Sequence, residues 1–326
     1  MSLGPNAFGL SLAILTALFW GALPLALKNV LTAADAFTIV CLRFWVAAAW
    51  VWLCPMTRNA RRAATPWNRR DILLLVIATV GLGSNFVLFN SSVAYLSASA
   101  CQILAQAGPV LLLVGSVVVL REPFLPIQGL GVVILLAGMT LFFGTRLGDL
   151  AGNGSFLLGL FLGISAAVVW ACYGLAQKVL LRSTSPTRIM RVIYPCCALA
   201  LTPLASPAGL LNANAFQIGC LLFACLNTII AYGAFAKAMS CWHAAKVSAI
   251  VTTTPLFTMA LETLGHAVMP AFWPAEAQSL TSVAGAIIAV LGALGIALGP
   301  MIRLPHAALH RFAAHRRDRK QHRQQD

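Results

Sequence analysis

Charged side chains are scarce in this 326-residue sequence: they make up 9% of it, and only 8 residues are Asp or Glu. Soluble globular domains contain about 25% charged residues, so the composition excludes an ordinary soluble enzyme. Hydrophobic residues make up 60% of the chain and fall in long continuous runs. A membrane barrel needs short segments that alternate apolar and polar residues, so these runs instead predict an all-α membrane protein.

Residue patterns for metal binding or catalysis are also missing. No two cysteines form a CxxC pair, and no histidine has the spacing of a zinc ligand. His, Asp and Glu do not cluster within the apolar runs, as acid–base catalysis would require. The basic residues flank the apolar runs and fill the C-terminal tail, an arrangement typical of membrane proteins. We therefore expect no enzymatic activity, no metal, no cofactor and no nucleic-acid partner.

Ten apolar runs are long enough to form membrane-spanning helices, which need about 20 residues each. Polar residues, Pro or Gly interrupt the sequence between them. We predict spans at residues 8–27, 36–54, 72–94, 97–120, 126–144, 156–181, 189–205, 216–238, 243–264 and 278–299.

The two halves of the sequence resemble each other at nearly constant offsets. Shifts of 150, 146 and 154 residues align, in turn, Trp20 and Lys28 with Trp170 and Lys178, Pro109 with Pro255, and Gly131 and Gly138 with Gly285 and Gly292. We predict a duplication, with residues 1–150 as the first five-helix repeat, 151–302 as the second and 303–326 as a basic tail. Because each repeat has an odd number of spans, the second is predicted to be inverted in the bilayer.

The distribution of basic residues orients these spans. With the N-terminus inside, 19 of the 22 Lys and Arg residues lie on the cytoplasmic side. Both termini are therefore predicted to be cytoplasmic. The tail either touches anionic lipid or is a solvated topology anchor, and we expect it to lie outside the permeation path.

Several short motifs accompany this organisation: FWG at 19–21, LRF at 42–44, and Pro109 followed by Glu122. In this order, and with two five-span halves, residues 8–299 resemble the EamA-type transporters of the drug/metabolite transporter superfamily. The resemblance implies a ten-helix secondary transporter of the bacterial inner membrane that often exports small metabolites such as amino acids. The second half departs from the family pattern, because no glutamate lies 13 residues after Pro255 and Glu262 comes earlier.

Candidate substrate-binding residues are polar and aromatic side chains near the middle of the spans, where inverted-repeat transporters bind substrate. Gln102 and Gln106 share one face of the fourth span with Ser99 and Pro109, and Ser248 and Thr252 are their counterparts in the ninth. The remaining candidates are two amides, four possible aromatic walls and two cations: Asn85, Asn227, Trp20, Trp170, Tyr173, Tyr232, Arg43 and Lys246. Each group has an alternative role. The polar side chains can form hydrogen bonds between helices, the aromatic rings can pack within the bundle or anchor it at the membrane interface, and the long cationic side chains can extend to that interface.

The charges within the spans favour one substrate class. Two cations and no carboxylate near mid-depth favour an anionic or zwitterionic metabolite, exported by alternating access between the repeats. The alternatives are a proton-coupled exporter of cationic drugs, for which Glu262 is the candidate carboxylate, and a membrane sensor or accessory subunit. The expected partners are a small-molecule substrate and the lipid bilayer. GxxxG spacings at 159–163 and 295–299 favour packing within a monomer over a homodimer.

Overall fold

A computed structural model describes residues 5–53, 66–144, 154–274 and 278–299, and these residues form helices and connections without any β-strand. Within these ranges the α-helices are α1 (Pro5–Val30), α2 (Ala36–Leu53), α3 (Arg69–Tyr95), α4 (Ala98–Ala105), α5 (Ala107–Leu120), α6 (Pro126–Gly144), α7 (Gly154–Leu180), α8 (Pro186–Leu201), α9 (Ala215–Cys241), α10 (Ala244–Val251), α11 (Thr254–Val268) and α12 (Leu280–Leu298). Two 3₁₀-helices, Thr202–Leu204 and Pro207–Asn212, connect α8 to α9. The prediction of an all-α protein is confirmed for these residues, whereas the predicted tail at 303–326 lies outside them.

Nine helical segments in the described part of the chain are long and apolar enough to cross a membrane. The seventh predicted span, 189–205, does not qualify, because its α-helix has 16 residues and includes Arg188 and Arg191. Pro203 has no backbone N–H to continue the helical hydrogen bonding, so α8 ends at Leu201 and the chain continues as a 3₁₀ turn. Large apolar side chains such as Val118 and Phe161 are exposed on the outer faces of the bundle, as expected where the surrounding medium is hydrocarbon.

The fourth and ninth predicted spans are not continuous helices. Gln106 separates α4 from α5, and residues 252–253 separate α10 from α11. Each break lies two or three residues before a proline, Pro109 or Pro255, whose missing N–H interrupts the backbone hydrogen bonding. At the second break, the hydroxyls of three consecutive threonines donate to carbonyl oxygens three residues back, at distances of 2.5–2.8 Å. These bonds satisfy backbone groups that a broken helix would otherwise leave unpaired in the membrane.

The two halves of the chain interlock through antiparallel helix pairs. Helix α1 packs on α9, where Thr16 Oγ1 lies 3.4 Å from the carbonyl oxygen of Ala231. Helix α3 packs on α7, where Ser92 Oγ donates to the carbonyl oxygen of Gly159 at 3.0 Å. Because each pair contains one helix from each half, the halves form one continuous bundle.

Glycines bring α6 and α12 into backbone contact. A Cβ at Gly138 would lie 2.2 Å from the backbone N of Ala289, and one at Gly292 would lie 2.2 Å from that of Leu135. Residue numbers rise along α6 while those of its neighbours in α12 fall, so these two helices are antiparallel. The GxxxG glycines at positions 159, 163, 295 and 299 likewise contact residues of this chain.

Candidate substrate-binding site

Helix α2 carries a buried arginine into the interior of the bundle. Arg43 is 2% exposed, and its guanidinium lies 4.6 Å from the centre of the Phe86 ring. Nε donates to Thr228 Oγ1 at 3.1 Å, and Nη1 donates to Asn90 Oδ1 at 3.4 Å. The side chain therefore does not extend to the membrane interface but joins α2 to α3 and α9.

The surroundings of Arg43 are neutral. Among the residues that the structure describes, none forms an ion pair with its guanidinium. Helices α2 and α9 contain no Asp or Glu, and the only acidic residue of α3 is Asp71 in its first turn. A buried cation without a counter-charge is costly in a protein interior. The interior thus holds positive charge that an anion would balance.

Aromatic rings extend from this arginine towards α1. The centre of the Tyr232 ring lies 6.5 Å from that of Phe86 and 5.1 Å from that of Trp20. We call Trp20, Arg43, Phe86, Asn90, Thr228 and Tyr232 the arginine cluster. It contains three of the predicted site residues, Trp20, Arg43 and Tyr232, drawn from three helices.

Polar atoms in and beside the arginine cluster have unused hydrogen-bonding capacity. Trp20 Nε1, Asn90 Nδ2 and Asn227 Oδ1 are buried, and none has a hydrogen-bond partner among the described residues. Asn227 is fully buried next to Thr228, and its Nδ2 donates to the carbonyl oxygen of Phe19. Leaving a buried polar atom unpaired costs about 1–3 kcal/mol, so two donors and one acceptor are available to a bound solute.

The two predicted glutamines connect the halves. Gln102 Nε2 donates to the carbonyl oxygen of Trp20 at 2.7 Å, which joins α4 to the arginine cluster. Gln106 Nε2 donates to the carbonyl oxygen of Thr252 at 3.3 Å, so the two helix breaks meet. All three side chains of this set, Gln102, Gln106 and Thr252, are buried. In this conformation both amides form the interhelical links given above as the alternative to substrate contact.

The remaining predicted residues occupy other positions. Trp170 and Tyr173 pack in the apolar cluster that contains Phe86. Asn85 Nδ2 donates to the carbonyl oxygen of Ala166 at 2.9 Å and so joins α3 to α7. Ser248 is half-buried in α10. Lys246 is exposed, with Nζ 5.7 Å from the centre of the Trp242 ring, so it lies apart from the arginine cluster.

Sequence analysis missed Phe86, Asn90 and Thr228. Asn90 is an amide in the interior of an apolar span, and Thr228 directly follows a predicted site residue; both are signals that could have been used. Which face of a span turns towards Arg43 depends on helix packing, which a uniformly apolar sequence does not show.

The structure describes two glutamates, Glu262 and Glu122, of which one is buried and the other partly exposed. Glu262 in α11 is buried and accepts hydrogen bonds from Ser99 Oγ and, at 3.3 Å, from Gln278 Nε2. Glu122, between α5 and α6, forms a 2.6 Å ion pair with Lys178 near the end of α7, and both side chains are partly exposed. No group of three or more His, Cys, Asp or Glu able to hold a metal ion occurs among the described residues.

A bundle of apolar helices around a buried polar cluster is typical of multi-pass membrane proteins, transporters among them. The model of the EamA-like transporter family matches this chain twice, at residues 7–144 and 157–298. The chain belongs to this family, which confirms the resemblance found in its motifs.

Relatives with most of their length in common support this assignment. The chain is 40% identical over 296 residues to a protein named uncharacterized inner membrane transporter YhbE from Escherichia coli K12, covering 90% of this chain and 92% of the relative. It is 35% identical over 298 residues to an uncharacterized transporter from Haemophilus influenzae, covering 91% and 97%. A crystal structure with 18% identity matches at a TM-score of 0.60, covering 91% of this chain and 99% of the other, and shows the fold alone. The protein is therefore a multi-pass transporter of the inner membrane.

Proposed function

We propose that this protein is a secondary transporter that exports small anionic or zwitterionic metabolites, amino acids among them, by alternating access. The observation that carries this substrate class is Arg43, a buried cation without an ion-pair partner among the described residues. A substrate carboxylate would supply the missing counter-charge during transport. Guanidinium groups bind carboxylates through charge-assisted hydrogen bonds, which are about twice as strong as neutral ones.

The unpaired atoms around Arg43 fit the rest of such a substrate. Asn90 Nδ2 is a second donor beside the guanidinium, suited to the other oxygen of a carboxylate. Asn227 Oδ1 is an acceptor, suited to the ammonium group of a zwitterion. The Trp20 and Tyr232 rings offer an apolar wall with polar edges. These features support amino acids over dianions that lack a donor group.

Alternating access requires two structurally similar halves, so that the site can open first to one side of the membrane and then to the other. The predicted inverted repeat is supported by the two matches to one family model and by the antiparallel arrangement of α6 and α12, which occupy corresponding positions in the halves. The contact from Gln106 to Thr252 joins two residues related by the 146-residue shift. Rocking of one half on the other would therefore pivot near this contact and expose the arginine cluster to each side in turn.

The same architecture requires a tenth membrane crossing, which we assign to α8 and its extension. Its 16 α-helical residues and the 3 residues of Thr202–Leu204 together span roughly 30 Å, about the thickness of the hydrocarbon core. Arg191 Nε donates to the carbonyl oxygen of Val51 at 3.0 Å, so packing on α2 compensates for a charge in this segment. With ten crossings, the distribution of basic residues supports a cytoplasmic location for both termini.

Counterflow in proteoliposomes tests the substrate class. Vesicles containing purified wild type, Arg43→Met or Arg182→Met are preloaded with unlabelled L-alanine, L-glutamate or succinate and then given the radiolabelled compound. We expect counterflow of at least one amino acid by wild type and by Arg182→Met, whose charge is exposed in the α7–α8 connection. Arg43→Met should lose it, with an unchanged gel-filtration profile. Equal counterflow by Arg43→Met and wild type would contradict the assignment of Arg43.

Export of cationic drugs is the second candidate, and buried Glu262 is the observation that favours it. A carboxylate could receive a lipophilic cation, and aromatic rings such as Trp20 attract cations as well. Efflux of a quaternary ammonium dye from the same vesicles, without movement of any anionic or zwitterionic compound, would replace the first proposal by this one. A sensor or accessory subunit predicts no movement of either class.

A further inference from the structure

A buried carboxylate lies where the halves meet. Of the acidic residues that the structure describes, only Glu262 is buried, at 6% exposure. It accepts a hydrogen bond from Ser99 Oγ of α4, in the first half of the chain, and one from Gln278 Nε2 at the start of α12. Burying a carboxylate in a membrane protein is costly, and such residues usually serve a function.

Ser99 and Gln278, which donate hydrogen bonds to Glu262, are both neutral. A serine hydroxyl donates to an ionised carboxylate, and by rotating it can accept from a protonated one. The Ser99 contact is therefore compatible with both protonation states. Glu122 lies elsewhere, between α5 and α6, and forms a 2.6 Å ion pair with the Lys178 ammonium.

Other charged or titratable groups surround this position at the end of the bundle where α11 terminates. Gly21 and Thr258 are in contact, and Trp273 Nε1 donates to the carbonyl oxygen of Leu25, so α1 runs parallel to α11 and places Lys28 at this end. Cys101 lies on α4, two residues after Ser99, whereas α12 carries no titratable residue. On α11 itself, His266 lies one turn after Glu262, with Nδ1 3.0 Å from the carbonyl oxygen of Trp273.

The contact between Glu262 and Ser99 has no counterpart in the other half. The 146-residue shift relates Ser99 to Ala245 and Glu262 to Ser116, and neither counterpart has a carboxylate. Ser116 Oγ instead accepts from Lys178 Nζ at 3.3 Å. The carboxylate is therefore a point at which the two halves differ.

We propose that Glu262 is the proton-binding site that couples export to the proton gradient. In each cycle the carboxylate binds one proton from outside and releases it to the cytoplasm, while substrate moves outwards. Protonation reverses the direction of the Ser99 hydrogen bond and so changes the contact between α4 and α11. Helix α4 also carries Gln102, which bonds to Trp20 of the arginine cluster, so the change reaches the substrate site.

The inference rests on the proposed transport function, so its first test does not need a substrate. Infrared difference spectra of purified protein are recorded between acidic and neutral pH. We expect the carbonyl band of a protonated carboxyl to appear at acidic pH in wild type and in the matched control Glu122→Gln. The same component should be missing from Glu262→Gln. Spectra of wild type and Glu262→Gln that change identically with pH would overturn the assignment.

The second test uses whichever amino acid gives counterflow with wild type, and compares its uptake with and without a pH gradient. Glu262→Gln should retain counterflow to within about twofold but lose accumulation driven by the gradient. Glu122→Gln should keep both activities, and Glu262→Asp should restore part of the driven accumulation. Wild-type uptake that is the same with and without the gradient would reject proton coupling alone, whereas absence of counterflow for every compound would reject the proposed function. The infrared result stands in either case.

Discussion

At the level of single residues, Arg43 combines burial, positive charge and neutral hydrogen-bond partners. Its contacts with Thr228, Asn90 and Phe86 orient the guanidinium without neutralising it. A carboxylate in place of one neutral partner would have made a stable internal ion pair. The absence of such a pair among the described residues is consistent with a charge kept available for a ligand.

Asn90→Asp should test this availability directly. The new carboxylate would lie within about 3.4 Å of Nη1 and would neutralise the guanidinium from inside the protein. We expect counterflow of amino acids to fall at least about tenfold, which corresponds to 1.4 kcal/mol, while the melting temperature stays the same or rises. Asn85→Asp is the matched control, because Asn85 bonds to Ala166 rather than to Arg43 and should lose stability instead. Full activity in Asn90→Asp would contradict a role for free charge at Arg43.

The link between the two helix breaks gives a second prediction. Gln106→Ala removes the hydrogen bond to the Thr252 carbonyl, and Gln102→Ala removes the one to Trp20. Each bond contributes roughly 1 kcal/mol, so both variants should insert and fold but transport more slowly. Thr252→Ala should have a smaller effect than Gln106→Ala, because the Thr252 hydroxyl bonds to the carbonyl oxygen of Ala249 in the preceding helix and the Thr252 carbonyl remains. Counterflow and gel filtration are measured together; aggregation of Gln106→Ala would indicate a purely structural link.

At the level of helices, close packing of α6 on α12 contrasts with the interrupted segments α4–α5 and α10–α11. Glycines 131, 138, 285 and 292 place backbone against backbone, which favours a rigid pair. The interrupted segments add contacts between the halves through Ser99, Gln106 and Thr252. Movement during transport is therefore expected at the breaks, with α6 and α12 as a fixed support.

Enlarging a glycine of the rigid pair should destabilise the fold. A Cβ at Gly138 would lie 2.2 Å from backbone N of Ala289, so Gly138→Leu must separate the helices, at a cost of about 1–3 kcal/mol or more. Gly144→Leu, at the end of the same helix, is the control, because nothing lies within 4 Å of its Cβ position. We expect a lower melting temperature in detergent for the first variant only. Equal melting temperatures would show that α6 and α12 do not pack this closely.

At the level of the whole molecule, orientation and the number of crossings are linked. Nine segments of the described chain qualify as spans by length and composition, and α8 with its 3₁₀ extension completes ten only if it crosses. An even number of crossings puts both termini on one side. The positive-inside rule predicts that this side is the cytoplasm, because that orientation assigns 19 of the 22 basic residues to it.

Reporter fusions at four positions test this arrangement. Fusions after Ala64, Ser183 and Gln324 should report a cytoplasmic location, and a fusion after Ala213 should report a periplasmic one. The fusions after Ser183 and Ala213 lie on either side of α8 and serve as each other's control. A cytoplasmic signal after Ala213 would mean that α8 does not cross. A periplasmic signal after Ala64 would reverse the orientation.

The sequence by itself determined the class of protein and much of its organisation. Long apolar runs predict membrane helices because hydrocarbon leaves the backbone few other ways to satisfy its hydrogen bonds. The motifs and the offsets between Trp20 and Trp170 or Pro109 and Pro255 led to the family that the comparisons confirm. Arg43 and Glu262 stood out because a charge within an apolar run is rare and costly.

Only the tertiary structure decided which of these residues meet. In a helix that is apolar on all sides, the sequence does not show which face turns inwards, so Asn90 and Thr228 were missed and Lys246 was grouped with Arg43. The pairing of Glu262 with Ser99 joins residues 163 positions apart, and the contact from Gln106 to Thr252 spans 146. Such contacts depend on how helices pack across the bundle, and the packing is set by backbone approach at glycines and by shape rather than by hydrophobic periodicity.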